Sequence, residues 1–96
     1  MEQNNKEVKM QIKVTDAIQA GTYANNLIVH MNREEFVLDF INLVPPGATL
    51  NARVTITPGN LKRMMEIVQG SLVKFEKEFG ALPGTQLGAP PAELVQ

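Results

Sequence analysis

The chain contains no cysteine and no tryptophan. Without thiols it forms no disulfide, no thiolate metal site and no cysteine nucleophile, and it suits a reducing compartment. Aromatic residues make up 5%, one tyrosine and four phenylalanines, so a core must come mainly from Val, Ile, Leu and Met. Charge of one sign is also missing: nine basic and ten acidic residues leave a net charge of -1. Bulk electrostatics therefore offers nothing to draw DNA, RNA or anionic lipid. The longest apolar run, residues 36–44, is interrupted by Asp39 and Asn42 and is too short to cross a bilayer. The first six residues are polar and lack the apolar segment of a secretory signal, so the expected location is the cytoplasm.

What remains is an ordinary globular composition, 44% hydrophobic, in 96 residues. That is one domain, near the small end for a self-sufficient core. The expected organisation is a disordered N-terminus at 1–7, a domain at 8–80, and a flexible tail at 81–96, where proline and glycine mix with small and polar residues. Val8, Met10, Ile12 and Val14 alternate with polar neighbours, the pattern of a strand with one wet face. Residues 15–21 form a connector with room for a helical turn, and Gly21 can supply a positive φ.

Residues 22–31 and 35–44 read as two strands of a hairpin around Asn32-Arg33. An even loop keeps the hydrophobic sets together: Leu27, Val29, Phe36, Leu38 and Phe40 on one face, and Asn26, Ile28, His30, Glu35, Val37, Asp39 and Ile41 on the other. A two-residue loop sets Val29 beside Phe36 and Leu27 beside Leu38; a four-residue loop preserves the same faces. Pro45-Pro46-Gly47 is a turn, because two prolines cannot donate to a ladder. Residues 50–57 follow as a strand with Leu50, Ala52, Val54 and Ile56 on one side. A five-residue loop sets Val54 beside Phe40 and Ile56 beside Leu38, with Arg53 and Thr55 on the face of Asp39.

The next segment is helical. Leu61, Val68 and Phe75 recur every seven residues, as do Met65, Leu72 and Phe79, and with Met64 they make one apolar stripe. Thr57 is the expected N-cap, Pro58 suits the first helical position, Gly80 ends the helix and Pro83 prevents its resumption. Gly70 weakens the middle and suggests close approach of another backbone. The expected fold is α+β: a four-stranded antiparallel sheet with one long C-terminal helix packed on the Phe36, Leu38 and Phe40 face. The opposite face mixes Ala24, Ile28, Val37 and Ile41 with Asn26, His30, Asp39 and Arg53, too apolar for a plain solvated face. That mixture predicts self-association as a homodimer or tetramer.

Candidate site residues are few. His30, the one histidine, is expected near Glu35 across the hairpin, with Asp39 further along the face, where a carboxylate can orient the ring. The one serine, Ser71, lies on the helix, so no nucleophile can be set beside it. One histidine with two carboxylates at strand spacing is short of a metal site. Asp39 and Arg53 fall at a diagonal on neighbouring strands and suit an ion pair that fixes register. Lys62 and Arg63 lie in the first turns of the helix, against its dipole, where an anion would favour them. Two cations are a thin footprint for nucleic acid, and no aromatic platform accompanies them.

The run Gly21-Thr22-Tyr23-Ala24-Asn25, then His30, then Glu35-Phe36-Val37-Leu38-Asp39-Phe40, resembles a small uncharacterised prokaryotic family, the domain of unknown function numbered thirty-four sixty-seven. Pro45, Arg53-Val54, Thr57-Pro58, Lys62-Arg63, Phe75-Glu76 and Phe79-Gly80 extend the likeness over residues 8–82. The resemblance implies a compact domain of bacterial cytoplasmic origin and carries no assigned activity. At the level of fold alone, a sheet followed by helix is similar to the bacterial export chaperone SecB.

These observations predict a non-enzymatic, homo-oligomeric binding or adaptor protein, without cofactor or metal, acting through a sheet edge or the mixed face. His30, Asp39, Arg53, Lys62 and Arg63 are its candidate binding residues. A SecB-like chaperone for unfolded chains and a weak nucleic-acid module are the alternatives. The expected partners are another copy of itself or another protein, with neither nucleic acid nor membrane expected.

Overall fold

A computed structural model of the chain describes residues 9–84. The expected N-terminal and C-terminal disorder lies mostly outside those residues. The element order is α1 (Asp16–Ala20), β1 (Asn26–Met31), β2 (Phe36–Val44), β3 (Gly47–Ile56) and α2 (Pro58–Phe79). The strands form one antiparallel sheet in the order β1-β2-β3.

The expected fourth strand is absent from the described residues: 9–14 join no ladder, and Met10 and Ile12 are open to solvent. Alternation specifies a half-buried surface, but it makes a strand only where a sheet edge accepts its hydrogen bonds. The connector does contain a helical turn. Thr15 caps α1 by accepting from the Ile18 N–H at 3.3 Å, and Gly21 ends it at φ 81°.

The hairpin loop is even, as parity required, but it has four residues rather than two, Asn32 to Glu35. Asn32 Oδ1 accepts from the backbone N–H groups of Glu34 (2.8 Å) and Glu35 (3.0 Å), which closes the turn. The register therefore slides by two: Leu27 pairs with Phe40, Val29 with Leu38 and Met31 with Phe36. Glu35 sits in the loop and not across from His30.

The β2–β3 connection differs more. Its loop is Pro45-Pro46 alone, and β3 starts at Gly47 instead of residue 50. An odd register of this kind, left uncorrected, would set Val54 opposite Val37 and reverse the faces. A bulge repairs it: Phe40 pairs with Ala52 and Ile41 with Leu50, so Asn51 is the extra residue. The Asn51 side-chain amide donates to the Tyr23 carbonyl at 2.7 Å and anchors the bulge. Leu50 thereby moves to the Asp39 face, away from Ala52, Val54 and Ile56.

The two hairpins together produce three cross-strand rows on one face: Leu27–Phe40–Ala52, Val29–Leu38–Val54 and Met31–Phe36–Ile56. All nine residues are apolar. The other face carries the rows Ile28–Asp39–Arg53 and His30–Val37–Thr55.

Helix α2 does not pack across the apolar face. Its stripe stays exposed, from Met64 and Met65 through Val68, Leu72 and Phe75 to Phe79, and only Leu61 is half-buried. No extended contact joins α2 to a strand. The reason lies in the link. One residue, Thr57, separates β3 from α2; it is extended (φ -74°, ψ 153°), and Pro58 follows with its fixed φ. Strand-to-helix connections usually take two to six residues. A single stiff residue carries the helix onward and leaves no slack for reversal over its own sheet. Thr57 makes no side-chain cap, contrary to expectation; its carbonyl accepts from the Leu61 N–H at 2.9 Å. Gly80 closes the helix at φ 102° by donating to the Glu76 carbonyl.

Among the described residues, the buried side chains are Ile41 and Asp39, both on the mixed face. The face expected to be an open interface is thus the better covered one. The face expected to lie beneath the helix is the more open one: Leu27, Val29, Met31 and Val54 are exposed there, while Phe36, Leu38, Phe40, Ala52 and Ile56 are half-buried.

Candidate functional site

Three strands each contribute one side chain to a polar cluster on the mixed face. Arg53 stands directly opposite Asp39, rather than at the expected diagonal, because the two-residue loop and the Asn51 bulge set that register. Its Nε donates to Asp39 Oδ1 at 2.7 Å and its Nη2 to Oδ2 at 2.8 Å. This is the parallel two-bond grip that guanidinium and carboxylate favour. His30 is the diagonal neighbour, paired laterally with Val37, and its Nε2 lies 3.2 Å from Asp39 Oδ2. The three residues share one face as the sequence predicts, but the partner of His30 is Asp39 and not Glu35, and Arg53 is direct rather than diagonal.

Asp39 is short and lies beneath two longer side chains. Its exposure is 0%, whereas His30 and Arg53 remain 47% and 52% exposed. A carboxylate out of water needs donors on its oxygens, and here both oxygens have them. The hydrogen bonds to Asp39, and then its negative charge, raise the Arg53 pKa above its ordinary value, while partial desolvation opposes the shift. Arg53 thus stays cationic at any accessible pH.

His30, Val37, Arg53 and Thr55 line a shallow depression of about 280 Å³. The outward edges of the guanidinium, imidazole and hydroxyl offer hydrogen bonds there. Ser71 is on α2 and not in this depression. Among the described residues, no group of three or more histidines and carboxylates is placed to hold a metal ion.

Lys62 and Arg63 are not brought to this cluster. Both are exposed on the first turns of α2, which carries no acidic residue there. Lys62 lines a separate, open groove of about 850 Å³ with Phe36, Leu61 and Met65, beside the apolar sheet face. Arg63 is not part of its lining.

Sequence reasoning missed the asparagines. Asn25 acts as a further rung of the β1–β2 ladder: its amide donates to the Leu43 carbonyl at 3.1 Å, and its oxygen accepts from the Leu43 N–H at 2.8 Å. Asn32 closes the hairpin and Asn51 fixes the bulge. Asparagine beside a turn or a strand end was the available signal, since its short amide can imitate a peptide group.

The family described as protein of unknown function (DUF3467) matches residues 1–83, and the chain belongs to that family. The cluster and the backbone-fixing asparagines fall within the match. No curated protein and no solved structure matches the chain, so the likeness to SecB is not shown. Among the described residues, no helix is long and apolar enough to cross a membrane.

Proposed function

We propose that this member of an uncharacterised family is a non-enzymatic homo-oligomeric binding or adaptor protein. The observation that carries the reading is the nine-residue apolar face of the sheet, on which Leu27, Val29, Met31 and Val54 stay exposed because the chain's own helix does not pack across it. A contiguous patch of that kind, on a domain with so little internal burial, is the mark of an interface. The mixed face around His30, Asp39 and Arg53, or a free edge of β1 or β3, then serves as the working surface. A partner strand added at such an edge gains main-chain hydrogen bonds.

Light scattering coupled to size exclusion tests the first half of the reading. A dimer or tetramer is expected at micromolar concentration, and a well-folded monomer would remove the reason for treating the bare face as an interface. The groove beside Phe36, Leu61 and Met65 favours one further reading, a holdase for unfolded chains. Suppression of aggregation of a chemically denatured client, lost in Phe36→Asp, would support the holdase; no suppression by the wild-type chain would retire it.

A further inference from the structure

We propose that the bare sheet face of one copy is covered by helix α2 of a second copy, and reciprocally, so that two chains exchange their helices. This rests on the homo-oligomeric reading and specifies its interface. Each chain carries two unpartnered apolar surfaces of complementary shape. One is flat: the three rows centred on Val29–Leu38–Val54. The other is the stripe of α2, on which Val68, Leu72 and Phe75 are 57%, 42% and 44% exposed. A two-fold axis satisfies both at once, because each chain supplies what the other lacks.

The link at Thr57 identifies the occupant. With one extended residue before Pro58, a chain cannot lay its own helix back on its own sheet. Leu61, beside Phe36 in the groove, is the half-buried end of the stripe; the stripe from there to Phe79 runs on for roughly 27 Å at 1.5 Å per residue. Beyond Leu61 the stripe makes no extended contact with its own strands and is free to reach another sheet. The area also fits. Ten large apolar side chains on the two surfaces are 42–72% exposed, and together they offer on the order of 800 Å² per copy, the share each partner gives to a stable standard interface. A second copy meets the demand in fixed stoichiometry, and with two surfaces that an unrelated partner would have to match separately.

The cysteine-free sequence makes the test direct. Val54→Cys and Val68→Cys chains, distinguishable by mass, are co-expressed and treated with a short bis-maleimide. The expected product is a covalent dimer containing one chain of each kind, severalfold more abundant than dimers of either variant with itself. Val29→Cys with Leu72→Cys is the replacement pair if circular dichroism shows the valine variants to be unfolded. If light scattering finds an oligomer but neither pair gives the mixed product, the helix exchange is wrong and the oligomer stands. If the unmodified chain is a monomer, both fail together.

Discussion

Arg53 grips both oxygens of Asp39 from directly across the β2–β3 ladder, at 2.7 and 2.8 Å, with the carboxylate wholly buried and the guanidinium half in water. The asymmetry orders the effects of mutation. Asp39→Ala removes the hub and leaves two donors without their acceptor. Arg53→Ala leaves a buried carboxylate with fewer donors. His30→Ala removes a single longer bond from a side chain that water already reaches. Loss of urea stability should therefore be large for the first two and small for His30→Ala, well under 1 kcal/mol if the imidazole contributes only as an exposed polar pair. A His30→Ala loss equal to that of Asp39→Ala would contradict this arrangement.

The same pair sets an alkaline limit. Folding raises the Arg53 pKa above its already strongly basic ordinary value, so its contribution is fully present below that ordinary value and fades only as pH climbs through the still higher folded one. Arg53→Lys replaces the planar fork by a single ammonium that titrates near 10.4. The difference in urea midpoint between wild type and Arg53→Lys should stay level up to about pH 10 and widen above it, as the lysine loses its charge. Comparing the two proteins at each pH cancels the other lysines. A constant difference would mean that the Arg53 charge is not what holds the strands in register.

Asn25 gives a cleaner backbone test. Its amide makes two hydrogen bonds to Leu43 beyond the last regular pair of the β1–β2 ladder. Asn25→Ala should cost about 1–2 kcal/mol in chemical denaturation. Asn25→Asp keeps the acceptor for the Leu43 N–H but turns a second oxygen towards the Leu43 carbonyl, so it should not restore stability.

Gly70 borders the open groove that Phe36, Leu61 and Met65 line, and a methyl group placed on it would meet nothing within 4 Å. The sequence suggested close approach to another backbone there; the chain itself makes no such approach. Gly70→Ala should therefore stabilise the protein by about 1 kcal/mol through helix propensity, with no change in assembly state. A loss of stability would reveal a neighbour pressed against that side of the helix.

Legibility in the sequence followed the range of the interactions. Alternation placed Leu27, Val29, Phe36, Leu38, Phe40, Val54 and Ile56 on one face and Asp39 with Arg53 on the other, because side-chain parity is a property of adjacent residues. Helix α2 was equally plain from its seven-residue spacing and its Pro58 and Gly80 ends. Exact register was not, since it depends on two loop lengths and on an extra residue, Asn51, that no hydrophobic pattern marks. Slides of two residues keep faces but change partners, which is why Arg53 moves from the diagonal to a direct place opposite Asp39, and why His30 leaves Glu35 and meets Asp39 at the diagonal. The place of the helix was not legible, because complementary apolar surfaces in one chain need not meet within it, and an apolar pattern does not register the stiffness of the single-residue link at Thr57.

That link supports a final prediction. If Thr57-Pro58 alone prevents α2 from turning back, slack should restore an intramolecular fold. Four residues, Gly-Ser-Gly-Ser, inserted between Thr57 and Pro58 bring the connection into the ordinary range for a strand followed by a helix. The stripe from Leu61 to Phe79 could then cover Val29, Leu38 and Val54 of the same chain, where its effective concentration far exceeds that of a second copy in solution. The insertion should shift light scattering from oligomer to monomer while far-UV circular dichroism keeps its helical signal. Val54→Asp in the original chain should dissociate the assembly as well, but with loss of structure, because nothing then covers either surface. Thr55→Asp, one residue on and on the opposite face, should leave the assembly intact. An insertion variant that stays oligomeric with unchanged mass would show that the pairing of copies does not depend on a helix denied its own sheet.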